Sequence, residues 1–161
     1  MKRLSVIISI IFGLFSYHSA TAQSTQNVIT VHGEKNCITN TLDPSLKIKA
    51  AKIDLEPGNY KFIVFGGAFS RFKDDQNAAN QGKLPWIWDV YIFVDGKAYE
   101  LGSEEKYKTA DDAFSGNKSR YVLIPELTKP TTVYFAVWDE YRGENYCQGN
   151  RGELKIGVIK K

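Results

Sequence analysis

The segment "WDEYRGENYCQGNRGELKIGV", Trp138 to Val158, collects Asp139, Glu140, Glu144, Asn145 and Asn150 between two apolar runs, together with Gly143, Gly149, Gly152 and Cys147. Hard-cation chemistry suits this set. Calcium takes six to eight oxygen ligands, commonly carboxylates and amide oxygens mixed with backbone carbonyls of a bent loop. Asp139, Glu144, Asn145 and Asn150 could supply side-chain oxygens, and the glycines let the backbone turn inward. A glycosidase-type carboxylate pair, Asp139 or Glu140 with Glu144 or Glu153, is the competing chemistry. Neighbouring loop acids are far more often plain surface residues, so no enzymatic activity is expected. A serine triad needs a histidine base, and His32 sits on the polar phase of an alternating run. Zinc needs clustered His or Cys, and a phosphate loop needs a glycine-rich turn ahead of a helix. Neither pattern occurs.

Aromatic residues add a second kind of contact. Tyr141 and Tyr146 stand among the polar loop residues, where apolar burial has no obvious use for them. Trp86 and Trp88 are two apart in "PWIWD" and share one face of a strand. Such a pair serves more often in a core or at its rim than as a stacking platform. Trp86 remains a candidate sugar contact with Tyr141, Glu144, Asn145 and Asn150.

The first 22 residues, "MKRLSVIISIIFGLFSYHSATA", have the build of a secretory signal peptide: Lys2 and Arg3, an apolar centre from Val6 to Phe15, and the small-x-small Ala20-Thr21-Ala22. The apolar centre is shorter than the ~20 residues of a spanning helix, so the mature chain is expected to carry no transmembrane anchor and to be periplasmic or secreted. The net charge of +3 falls to about +1 without Lys2 and Arg3, which gives no electrostatic case for nucleic acid. Export also favours a disulfide between the two mature cysteines, Cys37 and Cys147. A reactive thiol is the alternative, with His32 as its only imidazole partner.

The elements that position these residues read as strands. Residues 23–161 form one domain in which "NVITVHG", "LKIKAAKIDL", "YKFIVFGG", "RYVLIP", "TTVYFAVWD" and "ELKIGVIK" are short apolar or alternating runs. "DVYIFVDGKAYEL" is a hairpin turning on Asp95-Gly96. One helical turn is placed in "SEEKYKTADDAF", and the polar connection from Ser70 to Trp86 is long enough to be functional. About eight strands in an all-β domain predict a jelly-roll β-sandwich.

The stretch "VYFAVWDEYRGENYCQGNRGELKIGV" resembles the closing segment of the calcium-dependent, galactose-binding bacterial lectins, and "DLEPGNYKFIVFGGAFS" resembles the strand of that family leading to its second ligand loop. Asp139, Asn150 and Gly152 fall on the family pattern of a strand-end Asp, a glycine-containing loop and an Asn-x-Gly opening the last strand. Two departures stand out: Cys147 lies in a longer loop, and Gly149 occupies the place of a second Asn. The resemblance implies a small jelly roll that holds a sugar through calcium. Carbohydrate binding is the resulting expectation, with the Ser70 to Gln81 loop as the other wall of the site. A protein-binding role of another class, an inhibitor or immunity protein using Arg71, Arg142 and Arg151, fits the size, export and aromatic loops as well.

Overall fold

The computed structural model describes residues 26–38, 46–139 and 147–161. It is an all-β structure. Within these residues lie β1 (Gln26–His32), β2 (Cys37–Ile38), β3 (Ala51–Leu55), β4 (Tyr60–Ser70), β5 (Trp86–Val94), β6 (Lys97–Tyr107), β7 (Tyr121–Leu123), β8 (Thr131–Trp138) and β9 (Arg151–Lys160), with three short helices, α1 (Leu46–Lys49), α2 (Asp75–Asn80) and α3 (Ala110–Asn117). No helix among the described residues is long and apolar enough to cross a membrane.

All nine strands belong to one hydrogen-bonded sheet, ordered β1-β9-β4-β5-β8-β2, with β7 on β4, β6 on β5 and β3 on β8. The pairs are antiparallel except for the two-residue β2–β8 pair. The sheet curls on itself. Phe62 of β4 and Phe135 of β8 share no ladder, yet their rings meet edge to face at 5.6 Å. Around them Val31, Leu55, Val64, Trp88, Val90, Ile92, Leu101, Val133, Leu154 and Ile156 form one core. The alternation of β5 sends Trp88, Val90 and Ile92 into this core and leaves Asp89, Tyr91 and Phe93 on the opposite face. There Phe93 joins Ile38, Ala50 and Ala136 in a second, smaller cluster, with Tyr91 packed beside it.

Local chemistry explains the elements. The β5–β6 turn holds Asp95 at φ +47° and Gly96 at φ +77°, the pair of left-handed conformations that matches a type I′ hairpin. The run predicted as one strand from Leu46 to Leu55 divides into α1 and β3. Leu and Lys accept either geometry, and four residues are too few for periodicity to choose. The helix expected around "SEEKYKTADDAF" occupies the end of that stretch and runs on to Asn117, because β6 continues to Tyr107. Thr109 then caps α3 by accepting from the Asp112 N–H at 3.1 Å. The long connection after Ser70 contains α2, whose cap Asp74 accepts from the Asn77 N–H at 2.6 Å.

Candidate functional site

The sheet brings the ends of β4, β8 and β1 and the starts of β5 and β9 to one end of the molecule. β2 anchors them. The predicted disulfide is present between Cys37 and Cys147, with Cα atoms 5.7 Å apart across 110 residues of chain. Asp139, at the end of β8, donates its N–H to the Ile38 carbonyl at 3.2 Å. Asn150, just before β9, donates its amide nitrogen to the Gly33 carbonyl at 3.2 Å and to Cys37 Sγ at 3.4 Å. Two residues singled out in the sequence therefore attach to the same 33–38 segment, and both are buried, at 7% and 4% exposure. Asn150 acts first as a clasp between the disulfide and β9.

The tryptophans divide as core and rim. Trp88 is fully buried and its indole N–H donates to the Gly66 carbonyl at 3.2 Å. Trp86 packs at the margin of the same core, with the Arg151 guanidinium 4.6 Å from its ring centre. That guanidinium also donates to the Phe72 carbonyl at 3.1 Å and pairs with Asp75. Arg151 thus ties the Ser70 to Gln81 segment to the first turn of β9, and it covers one face of the ring considered for sugar stacking. Gly152 is required beneath it: at φ +83° a side chain there would collide with the Ala68 carbonyl and press on Trp86.

The residue that sequence reasoning missed is Asp89. It is 1% exposed, on the β5 face opposite the main core. Burial pushes its carboxyl up to about 7, the charges of Glu100 and Glu104 add to the rise, and Arg71 opposes it. Burial, then Asp89, Glu100 and Glu104 push the neighbouring Tyr91 phenol up to about 12. Tyr91 meets Trp138 edge to face at 5.7 Å, and Arg71 Nε donates to the Trp138 carbonyl at 3.0 Å. Two polar atoms in this group, Asp89 Oδ1 and Arg71 Nη2, are enclosed without a hydrogen-bond partner among the described residues. The available signal was an acid inside the run "WIWDVYIFV", where every neighbour asks for burial.

Ser70, Asp89, Asp139 and Asn150 are four of the six buried polar or charged residues described, and all lie at this end. Glu140, Tyr141, Arg142, Gly143, Glu144, Asn145 and Tyr146 lie outside the described residues, as does the leader predicted over 1–22. Among the described residues no group of three or more His, Cys, Asp and Glu is placed to hold a metal ion. Asp139 and the Asn150 amide oxygen are the described members of the expected calcium set. Glu153 faces His32 at 3.6 Å and Lys155 at 3.5 Å on the outer side of β9. No family model, characterised protein or solved structure significantly matches this chain.

Proposed function

We propose that the protein is an exported, non-catalytic carbohydrate-binding module whose ligand docks at the strand-end cluster. The observation that carries this reading is that Asp89 Oδ1 and Arg71 Nη2 are enclosed and lack a hydrogen-bond partner among the described residues. A buried polar atom without a partner costs about 1–3 kcal/mol, so something of matching polarity is favoured beside each. Arg71 can only donate, whereas the Asp89 carboxyl accepts when ionised and also donates when protonated. A hydroxyl does both, and sugars present hydroxyls in fixed arrays. Both atoms are enclosed, so a ligand hydroxyl reaches them only when neighbouring groups move aside. The resemblance of the closing segment to small jelly-roll lectins supports the same class of ligand. Calcium is part of that resemblance; Asp139 and Asn150 would contribute to its site.

A glycan array probed with purified protein, with and without calcium, tests the reading. Retention of a defined set of glycans is expected, weakened in Asp89→Asn and Arg71→Met variants whose melting curves show them folded. An array silent in both conditions would overturn it. Dependence on calcium is expected to appear as a rise in Tm when calcium replaces EDTA.

A second reading, the protein-binding one, draws on a different observation. The outer face of β1, β9, β4 and β7 exposes Val28, Phe65, Tyr121 and Leu123, apolar side chains that a protein partner would cover. Arg71 and Arg151, expected as its anchors, are instead tied to the backbone and to Asp75. A partner retained from envelope extract by the wild type and lost by Leu123→Asp would favour this reading.

A further inference from the structure

Among the described strands β6 pairs only with β5, and its other edge borders a second cleft. Glu100, Leu101 and Gly102 form one wall, and Ser119, Arg120 and Tyr121 form the other, around about 260 Å³. The cleft is held open by its own scaffold. Arg120 N–H donates to the Asn117 carbonyl at 2.8 Å, its carbonyl accepts from Val64 N–H at 3.4 Å, and its Nη1 donates to the Gly102 carbonyl at 3.1 Å. At Gly102, φ is +116° and a side chain would collide with the Trp88 carbonyl, so bare backbone lines the cleft here. Among the described residues neither a hydrogen bond nor an ion pair holds the Glu100 carboxylate, although its charge also acts on Asp89. Tyr121 is 55% exposed, with the Lys61 ammonium 4.2 Å from its ring centre.

These groups define a ligand. The cleft is smaller than the 300–1,000 Å³ or so of drug-sized sites, which limits it to about one ring. Glu100 accepts, Arg120 and Ser119 donate, and Tyr121 offers an aromatic surface. A pyranose has hydroxyls around its rim and an apolar C–H face, which answers both demands. One negative and one positive side chain on opposing walls create no net demand for a charged ligand. We propose that this edge cleft binds a single neutral sugar ring, as a site separate from the strand-end cluster. Two sites on one chain would let the protein hold a glycan with more avidity than either site alone.

The test is a titration of the ¹⁵N-labelled protein with the methyl pyranosides of glucose, galactose and mannose. The amides of Gly102, Ser119, Arg120 and Tyr121 are expected to shift and saturate at about millimolar sugar, the affinity ordinary for so small a ligand. Ser119→Trp, which fills the cleft from an exposed position, should abolish the shifts, and Tyr121→Ala should weaken binding about tenfold. Arg71→Met, which alters the strand-end cluster without touching β6 or Ser119 to Tyr121, should leave them in place, so a failure of the strand-end reading remains distinguishable from a failure here. Absence of saturable shifts at these amides would overturn the proposal. So would shifts that persist in Ser119→Trp, or saturation by a zwitterionic amino acid such as serine and by no pyranoside.

Discussion

Asp89 shows how much a single buried carboxyl can demand of its surroundings. Its ordinary value of 3.8 rises to about 7 in the fold, chiefly through burial. The sign follows from proton linkage. Below pH 4 the carboxyl is protonated in both states and carries no penalty. Between pH 4 and 7 the unfolded chain releases the proton while the folded protein keeps it, so stability falls by about 1.4 kcal/mol per pH unit. Above pH 7 the loss levels off, at a total on the order of a few kcal/mol. Asp89→Asn abolishes this titration while keeping the shape. The variant is therefore expected to gain on the wild type as pH rises from 4.5 to 7.5, measured by urea unfolding at several pH values. A difference that stays constant with pH would show that Asp89 is ionised throughout. The sequence made Asp139 and Asn150 visible because polar residues beside glycine at strand ends are conspicuous. Asp89 escaped because "DVYIFV" reads as a strand opening on an acid. β5 actually begins at Trp86, so the acid lies within a buried strand rather than at its mouth.

Among the elements, strands were legible wherever alternation ran for five residues or more, and the Asp95-Gly96 hairpin was legible from two. The short helices were not, since α1 and α2 have four and six residues and owe their geometry to a cap or to packing rather than to period. The docking of the Ser70 to Gln81 segment was also invisible. It depends on Arg151, distant in sequence, reaching Phe72, Asp75 and Trp86 together. Arg151→Ala is expected to loosen that segment without unfolding the sheet. Hydrogen exchange at the amides of α2 should quicken about tenfold or more, as a charge-assisted hydrogen bond and a cation–π contact are lost. Trp86 should become more open to acrylamide quenching, while the fully buried Trp88 stays protected. Exchange rates unchanged in α2 would mean that its own cap at Asp74 suffices to hold it.

For the molecule as a whole, the all-β class follows from composition and alternation, but the curl of one nine-stranded sheet does not. It is set by contacts such as Phe62 on Phe135, which join strands far apart in the chain. The Cys37–Cys147 bond acts at this scale. It closes 110 residues, and a loop of that length is worth about 4–5 kcal/mol in the chain-entropy account. Cys147 itself sits at φ +68°, a left-handed conformation that disfavours any residue with a side chain by about 1–2 kcal/mol. The two effects separate experimentally. Cys37→Ala with Cys147→Ala should lose the cross-link and retain the backbone strain, whereas Cys37→Ala with Cys147→Gly should lose the cross-link and relieve the strain. Both double variants are expected to be less stable than the oxidised protein, by about 3–5 kcal/mol for the alanine pair. The glycine pair should recover about 1 kcal/mol of that, offset in part by the extra freedom of glycine in the unfolded chain. Equal midpoints for the two pairs in urea would show that residue 147 leaves the left-handed region once released. In that case the bond itself imposes the turn that presents Asn150 to Gly33.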